Sequence, residues 1–282
     1  MTGRRFQLVD VFTDRALAGN QLAVVLDSDG LDDASMQAIA REFNFSETTF
    51  VMPAGEPGCD WRVRIFTPVT ELPVAGHPTV GTAAVLRGLG LAGDHLVFQL
   101  GVGPTPIDFD PEGRAWMTLP AAAFLATVED RGSLAAALSL APGDLREDLP
   151  AQVVSCGNEF LLTPLASLEA LARMRPDPGR WSEATAASNQ HAVYAFVPAG
   201  AGQVRARMFA PGLAGGEDPA TGSAAGPLGA YAARYLGLNR LSIVQGVEMG
   251  RPSLLQVDAS GPRPRVGGAS VIVAAGELRF PT

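Results

Sequence analysis

The sequence predicts a mixed α and β protein built from two repeated halves. Three observations lead there. Stretches that alternate apolar and polar residues are interleaved with stretches of helical period. The order of these stretches between residues 5 and 89 recurs from residue 152 onward. Two segments of the form Pro-x-x-Gly-hydroxyl-Ala-Ala, at 78–84 and 219–225, occupy corresponding positions in the two halves.

The first half begins with Arg5–Phe12, which alternates as a strand, and Gly19-Asn20 turns into a second strand ending at Leu26. Asp32 or Asp33 is expected to cap a helix through Ser35–Glu42, whose Met36, Ile39 and Ala40 share one face. Phe45–Val51 reads as extended, and Trp61–Phe66 is a clear alternating strand. Pro78–Leu89 reads as a helix with its proline in the first turn, and His95–Leu100 resumes strand. In the second half Gln152–Leu162 repeats the Gly-Asn turn into an apolar strand, and His191–Val197 follows a helix-like segment. Arg205–Pro211 matches Arg62–Pro68, and the second Pro-x-x-Gly segment follows.

The matches stay in order at offsets of about 138 to 143 residues, as a duplication with small insertions requires. The seam is expected between Ala121 and Asp148, where Ala, Pro, Gly and acids gather. The predicted domains are residues 1–125 and 126–282, with the last strand free to return to the first.

Composition narrows the function. The chain has 282 residues, 47% of them apolar, enough for one or two real cores. With 29 acids against 21 bases it is acidic, which argues against a nucleic-acid surface. Every base is Arg; without Lys there is no Schiff-base chemistry and no conventional pyridoxal-phosphate enzyme. Cys59 and Cys156 form no CxxC pair, and His77, His95 and His191 lack ligand spacing, so neither a disulfide framework nor a metal site is expected. No secretory leader or membrane-length apolar run is read, and a cytoplasmic protein is expected.

Each Pro-x-x-Gly segment is expected to bring a glycine and a hydroxyl to a helix start, where backbone N–H groups and the helix dipole favour anions. Gly81 and Gly222 would admit a ligand to the backbone. Thr82 and Ser223 would cap the helix or donate to that ligand. If the halves are related by a pseudo-twofold axis, the two helix starts are expected to converge on a cleft between them. For either segment alone a purely structural reading, with alanines for close packing, is the favoured one. The pair favours the functional one.

Asp10–Thr13 with Gly19-Asn20, Asn44–Val51, Arg64–Pro68 through Gly76-His77-Pro78, Gly216–Ala224, and Gln245-Gly246 with Gly250–Ser253 together resemble the phenazine-biosynthesis PhzF-like isomerase family. The resemblance implies an α+β, diaminopimelate-epimerase-like fold of two pseudo-repeat domains, each a curled β-sheet around a central helix. It further implies a cofactor-free site, a small carboxylate-bearing substrate and a homodimer. Relatives with racemase activity carry a cysteine in each facing loop. Here Ala75-Gly76-His77 and Glu217-Asp218-Pro219 stand there, so two-thiol racemisation is not expected.

The resemblance assigns acid–base work to Glu47, with His77 and Asp218 as catalytic partners and Gly76, Gly222 and Ser223 as substrate-binding residues. Glu47 lies among Phe45, Thr48, Thr49, Phe50 and Val51, and burial there would raise its pKa toward a range suited to giving and taking protons. Asp218 could instead be a plain helix cap, and Arg251 could brace a loop or hold an anion. A non-catalytic metabolite-binding protein that keeps the fold is the alternative to an isomerase.

Overall fold

The computed structural model describes residues 3–189, 191–211 and 216–279. The chain divides into two compact units, one made of the residues up to Thr118 with those from Gly267 onward, the other of Leu119–Val266. The division therefore falls at Thr118/Leu119 rather than at 125, and the C-terminal stretch belongs with the first unit. Residues 121–148 are structured parts of the second unit, whose core buries Leu134, Leu138 and Leu145. Leucines placed to bury one face outweigh a local composition that resembles a seam.

The first unit contains β1 (Arg4–Val11), β2 (Asn20–Val25), α1 (Asp33–Phe43), β3 (Glu47–Pro53), β4 (Trp61–Phe66) and β5 (Glu71–Leu72). It continues through α2 (Gly76–Gly88), β6 (His95–Leu100), β7 (Gly103–Phe109) and β8 (Ala115–Thr118). The second unit contains β9 (Ala123–Thr127), α3 (Arg131–Ala137), β10 (Gln152–Ser155), β11 (Glu159–Pro164), α4 (Leu168–Arg173) and α5 (Pro178–Ala184). After these come β12 (Val193–Pro198), β13 (Gln203–Phe209), β14 (Glu217–Asp218), α6 (Gly222–Leu236), β15 (Arg240–Gln245) and β16 (Ser253–Asp258). β17 (Arg265–Gly268) and β18 (Ser270–Leu278) end the described chain.

In the first unit β18 pairs antiparallel with β1, β1 with β2, then β2 parallel with β3, β3 antiparallel with β4, and β4 parallel with β6. β7 and β8 follow antiparallel. Helix α2 packs against β1, β2, β3, β8 and β18, so both ends of this sheet reach the same helix and the sheet curls around it. Residues on every side of α2 are buried, which is why it lacks the polar face of a surface helix. Helix α1 starts at Asp32, whose side chain accepts from the Ser35 N–H at 2.8 Å, and it buries Met36, Ile39 and Ala40 on the sheet's other side.

The second unit repeats this plan. β9 pairs antiparallel with β10 and β10 with β11; β11 runs parallel to β12, β12 antiparallel to β13, β13 parallel to β15, and β15 antiparallel to β16. Helix α6 packs against β10, β11, β15 and β16.

The short strands fix the correspondence between the halves. Phe66 faces Glu71 and Ile65 faces Leu72; Phe209 faces Glu217 and Met208 faces Asp218. Arg64 holds Glu71 through two hydrogen bonds of 2.7 and 2.6 Å, and Arg207 holds Glu217 through two of 2.7 and 2.8 Å. Glu71-Leu72-Pro73-Val74-Ala75-Gly76-His77 thus corresponds to Glu217-Asp218-Pro219-Ala220-Thr221-Gly222-Ser223, and both helices begin at the glycine. The partner of Pro219 is Pro73, not Pro78, and the partner of Ser223 is His77, not Thr82.

Gly81 and Thr82 accordingly stand inside α2 and not at its start. A Cβ on Gly81 would lie 2.6 Å from Val11 Cγ2 and 2.8 Å from Leu22 Cδ2, so the glycine lets sheet and helix close on each other. Thr82 is buried and shares a 2.8 Å hydrogen bond with Thr49. The ligand-facing roles expected of these two residues are replaced by packing.

Candidate active site

Each unit carries its own cluster of polar side chains where the central helix begins. In the first unit β2 and β3 run parallel, so Asn20 and Glu47, their first residues, lie at the same end of the sheet. Helix α2 starts beside them. Ala75 is its N-cap and provides no side-chain hydrogen bond, and Gly76 and His77 open its first turn. The leading N–H groups of such a helix have no acceptor within the helix.

His77 Nε2 lies 3.5 Å from Glu47 Oε2, with the imidazole side chain 6% and the carboxylate 16% exposed. On the ring's other edge Asn20 Nδ2 is 3.3 Å from Nδ1. An amide nitrogen only donates, so with Nδ2 facing the ring Nδ1 is its acceptor. Ser46 Oγ, 3.5 Å from Asn20 Oδ1, suits that orientation of the amide. Burial pushes the His77 pKa down to about 3, opposed by a backbone contact with Gln21. The ring is therefore neutral at neutral pH and not a cation.

In the second unit Asp218 ends β14 and is buried, so it is a strand residue and not a helix cap. The N-cap of α6 is Thr221, whose hydroxyl donates to Asp218 Oδ2 at 2.6 Å and does not cap the helix. Gly222 and Ser223 open the helix; Gly222 is buried and Ser223 is half-buried. Pro227 lacks an N–H, so the Ser223 carbonyl receives no helical hydrogen bond from it. Gln245 and Tyr194 complete a buried network around Thr221. Ser253 Oγ donates to the Pro219 carbonyl at 2.8 Å and ties down the same loop.

Within the first unit the structure brings together Glu47, His77 and the start at Gly76. Within the second it brings together Asp218, Gly222 and Ser223. Asn20, Thr221, Tyr194 and Gln245 also belong to these clusters, though no sequence pattern assigned them a task. Gly19-Asn20 reads locally as a turn, and Gln245 precedes a glycine at a strand end, so neither carries a periodic signal. Cys156 is buried and its thiol is pushed up to about 12 by desolvation, while Cys59 lies outside both clusters. A cavity of about 520 Å³ in the second unit, lined by Trp181, His191 and Phe209 among others, includes none of the predicted site residues. Among the described residues no helix is long and apolar enough to cross a membrane.

The model of the family described as phenazine biosynthesis-like protein matches residues 9–276. An uncharacterized isomerase of Mesorhizobium japonicum is 41% identical over 99% of both chains. The trans-2,3-dihydro-3-hydroxyanthranilate isomerase of Pseudomonas aeruginosa is 38% identical over 95% of this chain and 94% of its own. The crystal structure of a PhzF-family phenazine biosynthesis protein from Bacillus anthracis superposes with a TM-score of 0.89 at 28% identity, covering 99% of this chain and all of that one.

Proposed function

Since the chain belongs to the phenazine biosynthesis-like family and is an isomerase, we propose that it moves a proton between carbons of a small carboxylate-bearing metabolite, with Glu47 as acid and base and no cofactor. The observation that carries this reading is the contact between Glu47 and a buried, neutral His77. An imidazolium in that position would hold the carboxylate ionised by charge pairing and weaken it as a base. A neutral ring beside the carboxylate carries no such penalty.

In the proposed reaction the Glu47 carboxylate takes a proton from a C–H bond of the substrate. The electron pair left behind spreads into an adjoining double bond, and the carboxylic acid of Glu47 returns the proton to a different carbon. One C–H bond breaks, another forms, the double bond moves, and no electrons are gained or lost. Negative charge developing beside Glu47 is met by the N–H groups at the Gly76 helix start of the same unit. In the second unit Asp218, beside the Gly222–Ser223 helix start, is the proposed acceptor for a substrate amine or hydroxyl.

trans-2,3-Dihydro-3-hydroxyanthranilate, the compound in the name of several relatives, carries a carboxylate, an amine and a hydroxyl, and is the first substrate to try. Conversion followed by proton NMR is expected to fall about 10²- to 10⁴-fold in Glu47→Gln, with the circular-dichroism spectrum unchanged. A folded Glu47→Gln variant with undiminished turnover would contradict the role of Glu47. The proposed assembly is a homodimer, tested by sedimentation equilibrium.

A further inference from the structure

We propose that Thr221 and Gln245 are positioning residues that hold Asp218 as an ionised acceptor in a single orientation, through a buried hydrogen-bond relay of fixed direction. The inference rests on the reading that Asp218 meets the substrate. It adds which residues prepare Asp218 for that task.

The direction follows from counting donors. Gln245 Oε1 receives the Tyr194 hydroxyl at 2.9 Å and the Thr221 N–H at 3.2 Å. Gln245 Nε2 donates to the Asp218 carbonyl at 2.7 Å and to Thr221 Oγ1 at 3.0 Å. Both lone pairs and both hydrogens of the amide are used, and turning it over would set its oxygen against a carbonyl and its nitrogen against an N–H. Thr221 Oγ1 therefore receives a hydrogen from Gln245 and has one left to give. That hydrogen goes to Asp218 Oδ2 at 2.6 Å, the short distance of a hydrogen bond to a charged oxygen.

Every member is buried: Tyr194 and Gln245 completely, Thr221 and Asp218 nearly so. In that setting a reversed or missing hydrogen bond is costly, and the relay has one low-energy arrangement. Thr221 gives Oδ2 a hydrogen and takes none from it, and a carboxylate accepts such a hydrogen more strongly than a carboxylic acid, so the relay favours the charged form. Burial, reinforced by the charge of Asp218, also raises the Tyr194 pKa, and its hydroxyl stays a donor. The relay spans β12, β15, the end of β14 and the N-cap of α6. A carboxylate on a two-residue strand is thereby tied to the body of its unit.

Other charged groups of this unit beside Asp218 are Glu217 on the same short strand and its partner Arg207 on β13. Tyr194 faces it from β12, while β15 and β16 present the uncharged Gln245 and Ser253. None of these changes in a Thr221 variant.

The test is a titration of the Asp218 carboxyl carbon by NMR in protein labelled with ¹³C-aspartate, its signal identified by its loss in Asp218→Asn. Thr221→Val keeps the branched shape and deletes the hydroxyl; Thr221→Ser keeps the hydroxyl. The expected result is an Asp218 pKa at least about one unit higher in Thr221→Val, with Thr221→Ser titrating like the wild type. Gln245→Met, which removes both donors, gives the same sign and replaces Thr221→Val should that variant not fold. An unshifted pKa in the hydroxyl-free variant, or a Thr221→Ser shift as large as that of valine, would overturn the relay. Turnover of trans-2,3-dihydro-3-hydroxyanthranilate by Asp218→Asn reads the parent claim separately. Unimpaired turnover there removes Asp218 from the reaction and leaves the titration result standing.

Discussion

At the residue scale, His77 gives the chain a predictable response to acid. The folded ring accepts a proton only near pH 3, whereas an unfolded histidine does so near 6.5. Between those values the unfolded state binds the extra proton, so stability is full above about pH 6.5 and falls as the pH drops, by about 1.4 kcal/mol per unit at the steepest. Urea unfolding at pH 7, 5 and 4 is expected to show this decline in the wild type and a shallower one in His77→Asn. Equal slopes would mean that the ring titrates normally and is not held neutral by burial. The identities of Glu47, His77, Asp218 and Ser223 were legible because each sits in a short stretch with a recognisable pattern. Asn20, Thr221 and Gln245 lie in stretches of the same kind and Tyr194 does not, but no role could be read for any of the four, because a buried hydrogen-bond partner is defined by distance across strands.

At the scale of elements, the two central helices explain the small residues that drew attention in the sequence. Pro-x-x-Gly occurs twice around α2, as Pro73–Gly76 and as Pro78–Gly81, so spacing alone allowed two registers against Pro219–Gly222. β5 and β14 are two residues each, too short to show an alternation, and their pairing chooses the first register. The inner Pro-x-x-Gly is then a packing feature. Gly81→Ala should raise intrinsic helix propensity by about 1 kcal/mol. The new methyl group would nevertheless press on Val11 and Leu22, and the net result expected is a loss of about 1–3 kcal/mol in urea unfolding. A stabilised Gly81→Ala protein would show that the sheet can give way there. In α6, Gly229 makes a similarly close approach, with a Cβ position 2.4 Å from Val257 Cγ1.

At the scale of the whole molecule, the repeated order of strands was readable because alternation and helical period survive in both halves. The boundary was less so. The segment after Thr118 is rich in Ala, Pro, Gly and acids, yet β9 and α3 fold into the second unit. The closing strand is the long-range part of the design. β18 pairs along the full length of β1 and packs on α2, so the first unit is completed by a strand far away in sequence. Removing residues 267–282 is therefore expected to abolish cooperative unfolding of the first unit and expose it to proteolysis. A truncated chain with intact two-step protease resistance would contradict the division described.

The central claim is that Glu47 carries a proton between two carbons of one substrate. It is tested most directly by running the reaction on trans-2,3-dihydro-3-hydroxyanthranilate in D₂O and reading each carbon position by proton NMR. The wild type is expected to form an isomer with some deuterium at the newly protonated carbon, and Glu47→Gln to convert the substrate and exchange its hydrogen about 10²- to 10⁴-fold more slowly. Conversion or exchange that continues at the wild-type rate in Glu47→Gln would contradict it.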